Sequence, residues 1–238
     1  MKYVISDIHG CYDEYKSLLN KINFSENDEL YVLGDTVDRG YSSIQVLKHM
    51  MMQPNIFPIM GNHDLIALLM LRKLCVKITE ENAETHLSFE DIQEYMQWLK
   101  DGGGATVNDF IDLDEDERED ILEYFQEFLA YHEICVNEKR YILVHAGLNN
   151  FCENKKLEEY ELQDLLFYRM DYGKRYFSDP DTYIVTGHTP TTEIRQDKKP
   201  MVYEENGHIA IDCGCVYGGQ LAAYCLDTNE VFYVEGLK

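Results

Sequence analysis

Long apolar runs are missing from this chain. The longest strongly apolar stretch, Leu65 to Leu71, falls far short of the ~20 residues that cross a bilayer, so no membrane span is expected. Basic residues are scarce as well: 21 Lys and Arg stand against 44 Asp and Glu, a formal charge of −23. Such a surface repels nucleic-acid backbones and anionic membranes, which argues against both as partners. No two cysteines have the C-x-x-C spacing of a zinc clip; the seven, an odd number, are scattered at 11, 75, 135, 152, 213, 215 and 225. In a reducing compartment they read as free, mostly buried thiols. No signal peptide fits ahead of Asp7, because Lys2 to Ile5 already read as a strand and leave no room for charged, apolar and cleavage regions. The cytoplasm is therefore the expected location. With 45% hydrophobic and 27% charged residues over 238 positions, the composition suits a globular protein with a sizeable core. One domain, 1–238, or one domain carrying an insertion is expected.

What is present is a repeated local pattern. Tyr3-Val4-Ile5, Leu30 to Leu33, Ile56 to Met60, Tyr141 to Val144 and Tyr183 to Val185 are short and rich in strand formers. Each runs into a small cluster of Asp, Asn, His and Gly, the arrangement of α/β enzymes that hang reactive groups on loops after strands. Tyr12 to Ile22 and Ser42 to Met51 have helical periodicity between the first three strands, so right-handed crossovers and a partly parallel sheet are expected. After Lys199 four further β segments follow, with Asp227-Thr228-Asn229 as a hairpin turn between the last two. The region from about 65 to 132 breaks the rhythm with three helical patterns, Leu65 to Val76, Phe89 to Leu99 and Glu115 to Tyr131, and Gly102-Gly103-Gly104 between the second and third. It reads either as a helical insertion capping the site or as part of the core wrapping. The acidic cluster Asp112 to Asp120 reads as a solvated helix start.

Five clusters carry the chemistry: Asp7-Ile8-His9-Gly10, Gly34-Asp35-Thr36-Val37-Asp38-Arg39-Gly40, Gly61-Asn62-His63-Asp64, His145-Ala146-Gly147 and Gly187-His188-Thr189-Pro190. Carboxylate oxygen with imidazole nitrogen suits Mn, Fe or Zn, and no thiolate is present to make the site structural. Asp7 and His9, two apart on an extended segment, would point to the same side. An Asp has two oxygens, so Asp35 could join two ions at the ~3.5–4 Å separation of two-metal hydrolases. His49, His86, His132 and His208 lie outside the clusters and read as surface or satisfied core residues.

The series resembles the motifs of the phosphoprotein-phosphatase branch of the calcineurin-like metallophosphoesterases, from residue 3 to about 235. The resemblance implies an α/β sandwich of two mixed sheets flanked by helices. It implies that Asp7, His9 and Asp35 hold one divalent ion and that Asp35, Asn62, His145 and His188 hold another. Manganese is the leading expectation, with Fe, Zn or Ni as alternatives. His63 would then be the general acid, with Asp38 holding it, and Arg39, Arg169 and Asn62 would contact the phosphoryl group. Arg169 is chosen because it follows the apolar-aromatic run Leu165 to Tyr168; its plain alternative is a surface ion pair. In such a site a metal-activated water attacks phosphorus in line and His63 protonates the leaving oxygen.

Ser6, Asp64 and Ala146 depart from the usual family motifs. The last two resemble bacterial and phage members, including symmetrical diadenosine tetraphosphate hydrolases. Those hydrolases typically lack the acidic residue found here at Asp38. Trp98 with Gly103-Gly104 and Thr106, and Asp212-Cys213-Gly214 with Gly218-Gly219, resemble the bacterial Ser/Thr phosphatase-like group. The leading expectation is therefore a phosphatase acting on phosphoserine or phosphothreonine, or on small phosphate esters. The first alternative is a dinucleoside polyphosphate hydrolase. The Asp38-Arg39 pair and the acidic surface weigh against a nuclease. An inactive scaffold would be expected to have lost a ligand or the acid, and none is missing.

Overall fold

The computed structural model describes residues 1–77, 79 and 87–237. The chain folds into two five-stranded mixed sheets packed face to face with helices outside, as the motif series implies. In the first half the order is β1 (Lys2–Ile5), α1 (Tyr12–Lys21), β2 (Glu29–Val32), α2 (Ser43–Met51), β3 (Ile56–Pro58) and α3 (Asn62–Cys75). Then come α4 (Phe89–Trp98), a π-helical turn (Leu99–Gly103), α5 (Gly104–Ile111), α6 (Glu115–Gln126), β4 (Tyr131–Val136) and β5 (Lys139–Val144). The chain ends with α7 (Leu162–Leu166), β6 (Thr182–Thr186), α8 (Thr191–Ile194), β7 (Tyr203–Glu205), β8 (His208–Ala210), β9 (Gln220–Cys225) and β10 (Val231–Glu235).

One sheet has the order β10-β9-β1-β2-β3 and the other β4-β5-β6-β8-β7. β1, β2 and β3 are parallel, as are β5, β6 and β8. Antiparallel β9–β10 and β4 close the edges beside them. The period-2 alternation of strands divides the apolar residues cleanly. Val4, Tyr31, Leu143, Val185 and Tyr224 fill the space between the sheets, while Ile5, Val32, Ile142, Ile184 and Ala223 face the helical layers. Parallel strands point their C-terminal ends the same way, and that edge carries all five clusters.

Three details differ from expectation. The last helix of the middle region stops at Gln126, and Tyr131 opens β4. Its mixed burial and neighbouring Glu133 concealed an edge strand. The Gly102–Gly104 triplet does not simply separate two helices; it leads through the π-helical turn into α5. β7 begins at Tyr203 rather than Met201. The acidic cluster behaves as read, with Asp114 capping α6 by accepting from Glu117 N at 2.9 Å. All seven cysteines are free, four buried and three exposed. His49 bonds Tyr15 and Lys16, His132 stacks on Tyr31 and His208 Nε2 meets Lys174 O; His86 lies outside the described residues. Among the described residues no helix is long and apolar enough to cross a membrane.

Candidate active site

The loops after β1, β2, β3, β5 and β6 converge on one cleft of about 540 Å³. Asp7, His9, Asp35, Asn62, His63 and His188 line it, as do Arg39 and Arg169. Asp38 and His145 are fully buried behind its wall. The sheet register continues into the loops: Asp7 N donates to Gly34 O at 3.1 Å and His9 N to Asp35 O at 2.8 Å. The extended segment expected for Asp7 and His9 from their spacing is not what the chain adopts. β1 ends at Ile5, and both residues adopt left-handed backbone conformations, with φ of 49° and 46°. Asp35, Asp38, Arg39 and His188 do the same. Each such conformation costs a non-glycine residue on the order of 1–3 kcal/mol and persists only where the surroundings impose it.

Asp64 supplies part of that constraint. Its buried carboxylate accepts from Thr36 N at 2.9 Å, Thr36 Oγ1 at 2.6 Å and Gly61 N at 3.0 Å, tying the second loop to the third. Gly34, at φ 78°, leaves no room for a Cβ, which would stand 2.8 Å from His145 Nδ1.

The donor atoms form two groups. Those of His9, Asp35 and His63 lie within 4.8 Å of one another, and so do those of Asp35, His145 and His188. Asp35 belongs to both, and its oxygens divide between them: Oδ2 is 3.5 Å from His9 Nε2, and Oδ1 is 3.4 Å from His145 Nε2. His9 Nδ1 meets Val37 O at 2.8 Å and His145 Nδ1 meets Leu33 O at 2.7 Å. A carbonyl only accepts, so each Nδ1 carries the proton and each Nε2 turns a lone pair inward. The lone pair of His145 faces Asn62 Oδ1 at 2.9 Å as well as Asp35. Lone pairs aimed at one another in a buried space are the condition a divalent cation relieves, so the residues fit one. Asp7 is outside both groups; its carboxylate accepts from His188 N, at 3.2 and 3.1 Å.

The charges agree with this geometry. Burial, helped by Arg39 and His63, pushes the His9 pKa down to about 3. Burial and the neighbouring His145 do the same to His188, also to about 3. Both imidazoles are therefore neutral and available as ligands at neutral pH. Burial opposes the charge of Asp35, but His145, His63 and His9 outweigh it and hold the carboxyl below its usual range. Burial and the charges of Asp212 and Asp35 push Asp7 well up. Burial, with Asp35 nearby, raises Asp212 to about 6.

His63 stands apart. Its Nδ1 meets Asp38 Oδ2 at 2.7 Å, and its Nε2 lies 2.7 Å from Arg39 Nη2. Burial works against its charged form, yet the Asp38 hydrogen bond and the charge of Asp35 leave its pKa raised. Arg39 also meets His9 Nε2. Arg169 lines the cleft and makes the surface ion pair that was its plain alternative, with Glu193 at 2.9 Å. Arg175 instead donates to the carbonyls of Asp179, Pro180 and Thr182. Tyr217 and Asp212 also line the cleft; neither had been given a role from sequence, where Asp212 was only part of a family-like motif.

This sandwich gathers loop-borne Asp, Asn and His at one sheet edge, a donor set suited to divalent cations. The chain belongs to the calcineurin-like phosphoesterase family, whose sequence profile it matches over residues 3–231; the family works with a binuclear divalent metal centre. It is 42% identical over 101 residues to the symmetrical bis(5'-nucleosyl)-tetraphosphatase of Wigglesworthia glossinidia brevipalpis, covering 41% of this chain and 37% of that one. The chain thus spans less than half the length of that relative. The asymmetrical bis(5'-nucleosyl)-tetraphosphatase of Halalkalibacterium halodurans is 27% identical, over 92% of this chain and 87% of its own. A crystal structure assigned provisionally as a diadenosine tetraphosphatase matches with a TM-score of 0.66 and 20% identity, covering 100% of this chain and 94% of that one. That likeness supports the fold alone.

Proposed function

We propose that the protein hydrolyses dinucleoside polyphosphates at a two-metal site. The observation that carries the chemistry is the division of Asp35's two oxygens between two groups of imidazole donors. In this reading Asp7, His9 and Asp35 hold one ion, and Asp35, Asn62, His145 and His188 hold the second, with manganese the first candidate. When bound, such ions supply positive charge for the phosphoryl oxygens and make water acidic enough to act as a nucleophile at neutral pH. The protein's own groups do the rest. Arg39, between His9 and His63, and Arg169, at the rim, offer planar paired donors to phosphoryl oxygens. Asn62 contacts the same group. Asp38 holds Nδ1–H of His63, which directs Nε2 toward the cleft to protonate the departing oxygen.

The choice of substrate departs from the leading expectation from sequence. Relatives of both symmetrical and asymmetrical tetraphosphatase type favour the nucleotide reading, the asymmetrical one over nearly the whole chain. Tyr217 adds physical support. Its ring is 66% exposed at the cleft, with the Arg39 guanidinium 5.4 Å from the ring centroid, a surface on which a base can stack. One observation favours the second reading, a phosphoserine or phosphothreonine monoesterase: the acidic residue Asp38, which symmetrical hydrolases typically lack, is present and bonded to His63.

Diadenosine tetraphosphate and a phosphoserine peptide, each incubated with the Mn-supplemented enzyme, separate the two. The proposal expects faster turnover of the dinucleotide. Two ADP would indicate symmetrical cleavage, and AMP with ATP the asymmetrical one. Rapid release of phosphate from the peptide with an untouched dinucleotide would overturn it.

A further inference from the structure

We propose that Trp98 and Thr106, brought in by the helices after α3, are positioning residues that fix Asp38 and through it the orientation of His63. Asp38 is fully buried, and among the described residues no Lys or Arg pairs with it. A buried carboxylate needs several donors to be tolerated. Apart from His63, the donors here are neutral. Trp98 Nε1 donates to Oδ2 at 2.8 Å, the same oxygen that meets His63 Nδ1 at 2.7 Å. Thr106 Oγ1 donates to Oδ1 at 2.6 Å and accepts from Asp38 N at 3.0 Å. Ser43 Oγ accepts from the same N–H at 3.1 Å.

The backbone of Asp38 is left-handed, at φ 72°, a conformation its surroundings must enforce. Trp98 and Thr106 lie 60 and 68 positions away in sequence. The π-helical turn between them is shaped for the approach. Gly102, at φ 110°, puts its carbonyl on Arg39 N at 3.0 Å, and any Cβ on Gly103 would collide with the Trp98 ring. Both side chains are buried, at 2% and 0% exposure, so neither donor faces competition from bulk water.

The consequence is geometric. With both oxygens held, the carboxylate cannot rotate away from Nδ1–H, and His63 keeps the tautomer and ring plane that aim Nε2 at the cleft. The inference rests on the reading of His63 as the acid. Losing the acid altogether removes ~10²–10⁴ in rate, so loosening its support should remove roughly ten-fold or more.

Thr106→Val, nearly isosteric, keeps the packing and removes the hydroxyl; Trp98→Phe removes the N–H; Thr106→Ser restores a hydroxyl. Turnover is compared on an alkyl phosphate and on p-nitrophenyl phosphate, whose leaving group hardly needs a proton. The Val and Phe variants should lose about ten-fold more on the alkyl ester, and Ser should return the wild-type ratio. In the metal-free protein the hydrogen-bonded Nδ1–H proton of His63, assigned by its absence in His63→Asn, should broaden or vanish by NMR in Thr106→Val and persist in Thr106→Ser. Equal losses on both esters with the proton signal intact would make the two residues merely structural and overturn the proposal, as would unchanged behaviour of Thr106→Val. A His63→Asn variant with no alkyl-over-aryl discrimination would instead remove the acid reading itself.

Discussion

Asp212 allows a quantitative test of the site's electrostatics before any substrate is chosen. It is a buried carboxylate in the cleft wall whose Oδ1 accepts from Gly214 N at 2.9 Å. Burial and the charge of Asp35 raise it from 3.8 to about 6, and it raises Asp7 in turn, so Asp212 keeps its proton to higher pH than a free carboxyl does. The folded protein binds this proton more tightly than the unfolded chain. The associated stability is therefore fully present below 3.8 and is lost as pH rises through about 6. At about 1.4 kcal/mol per pH unit the whole effect is roughly 3 kcal/mol. Asp212→Asn keeps an oxygen for Gly214 and is neutral at every pH. In metal-free protein, denaturant unfolding should show the variant gaining about 2 kcal/mol relative to wild type between pH 4.5 and 7.5. Saturating manganese should shrink or reverse that gain, because a nearby cation favours the ionised carboxylate. A stability difference that does not change with pH would refute the reasoning.

Other outcomes follow from the same geometry. His63→Asn should cut turnover ~10²–10⁴-fold on alkyl phosphates and much less on p-nitrophenyl phosphate while metal binding stays near normal, as equilibrium dialysis would report. Arg39→Lys and Arg169→Lys should each lower kcat/KM and weaken inhibition by inorganic phosphate, and the double variant should be less than additive; Arg175→Lys, tied to backbone carbonyls, should match wild type in steady-state assays. Asp64→Ala leaves Thr36 and Gly61 donors unpaired and should cost roughly 1–3 kcal/mol in thermal unfolding. Leu143→Ala, fully buried between the sheets, should cost about 2–5 kcal/mol without altering metal stoichiometry in folded protein.

Much of this was legible because strand ends and reactive residues coincide in sequence. The short runs of strand-forming residues located β1, β2, β3, β5 and β6, and the clusters after them located the cleft. What escaped depends on long-range contact or on conformation. β4 was missed, its first residue Tyr131 read as the end of a helix, because Tyr131 to Val136 mixes polar and apolar residues and an edge strand has only one neighbour to satisfy. The spacing of Asp7 and His9 suggested a strand, whereas hydrogen bonds to Gly34 and Asp35 hold both in left-handed turns. Trp98 and Thr106 carried a family likeness but no role, since nothing local to either reveals that it ends on Asp38. Asp64 was noticed as a motif variant; its three hydrogen bonds become visible only when the second and third loops meet.

The central claim is that Asp35 serves two metal ions at once. Elemental analysis combined with titration of metal-free protein tests it directly, with Asp35→Asn measured beside wild type and His145→Ala as the one-group comparison. The account predicts two divalent ions per folded wild-type chain, loss of tight binding at both positions in Asp35→Asn and retention of one ion in His145→Ala. A single ion in wild type, or two ions of undiminished affinity in Asp35→Asn, would contradict it.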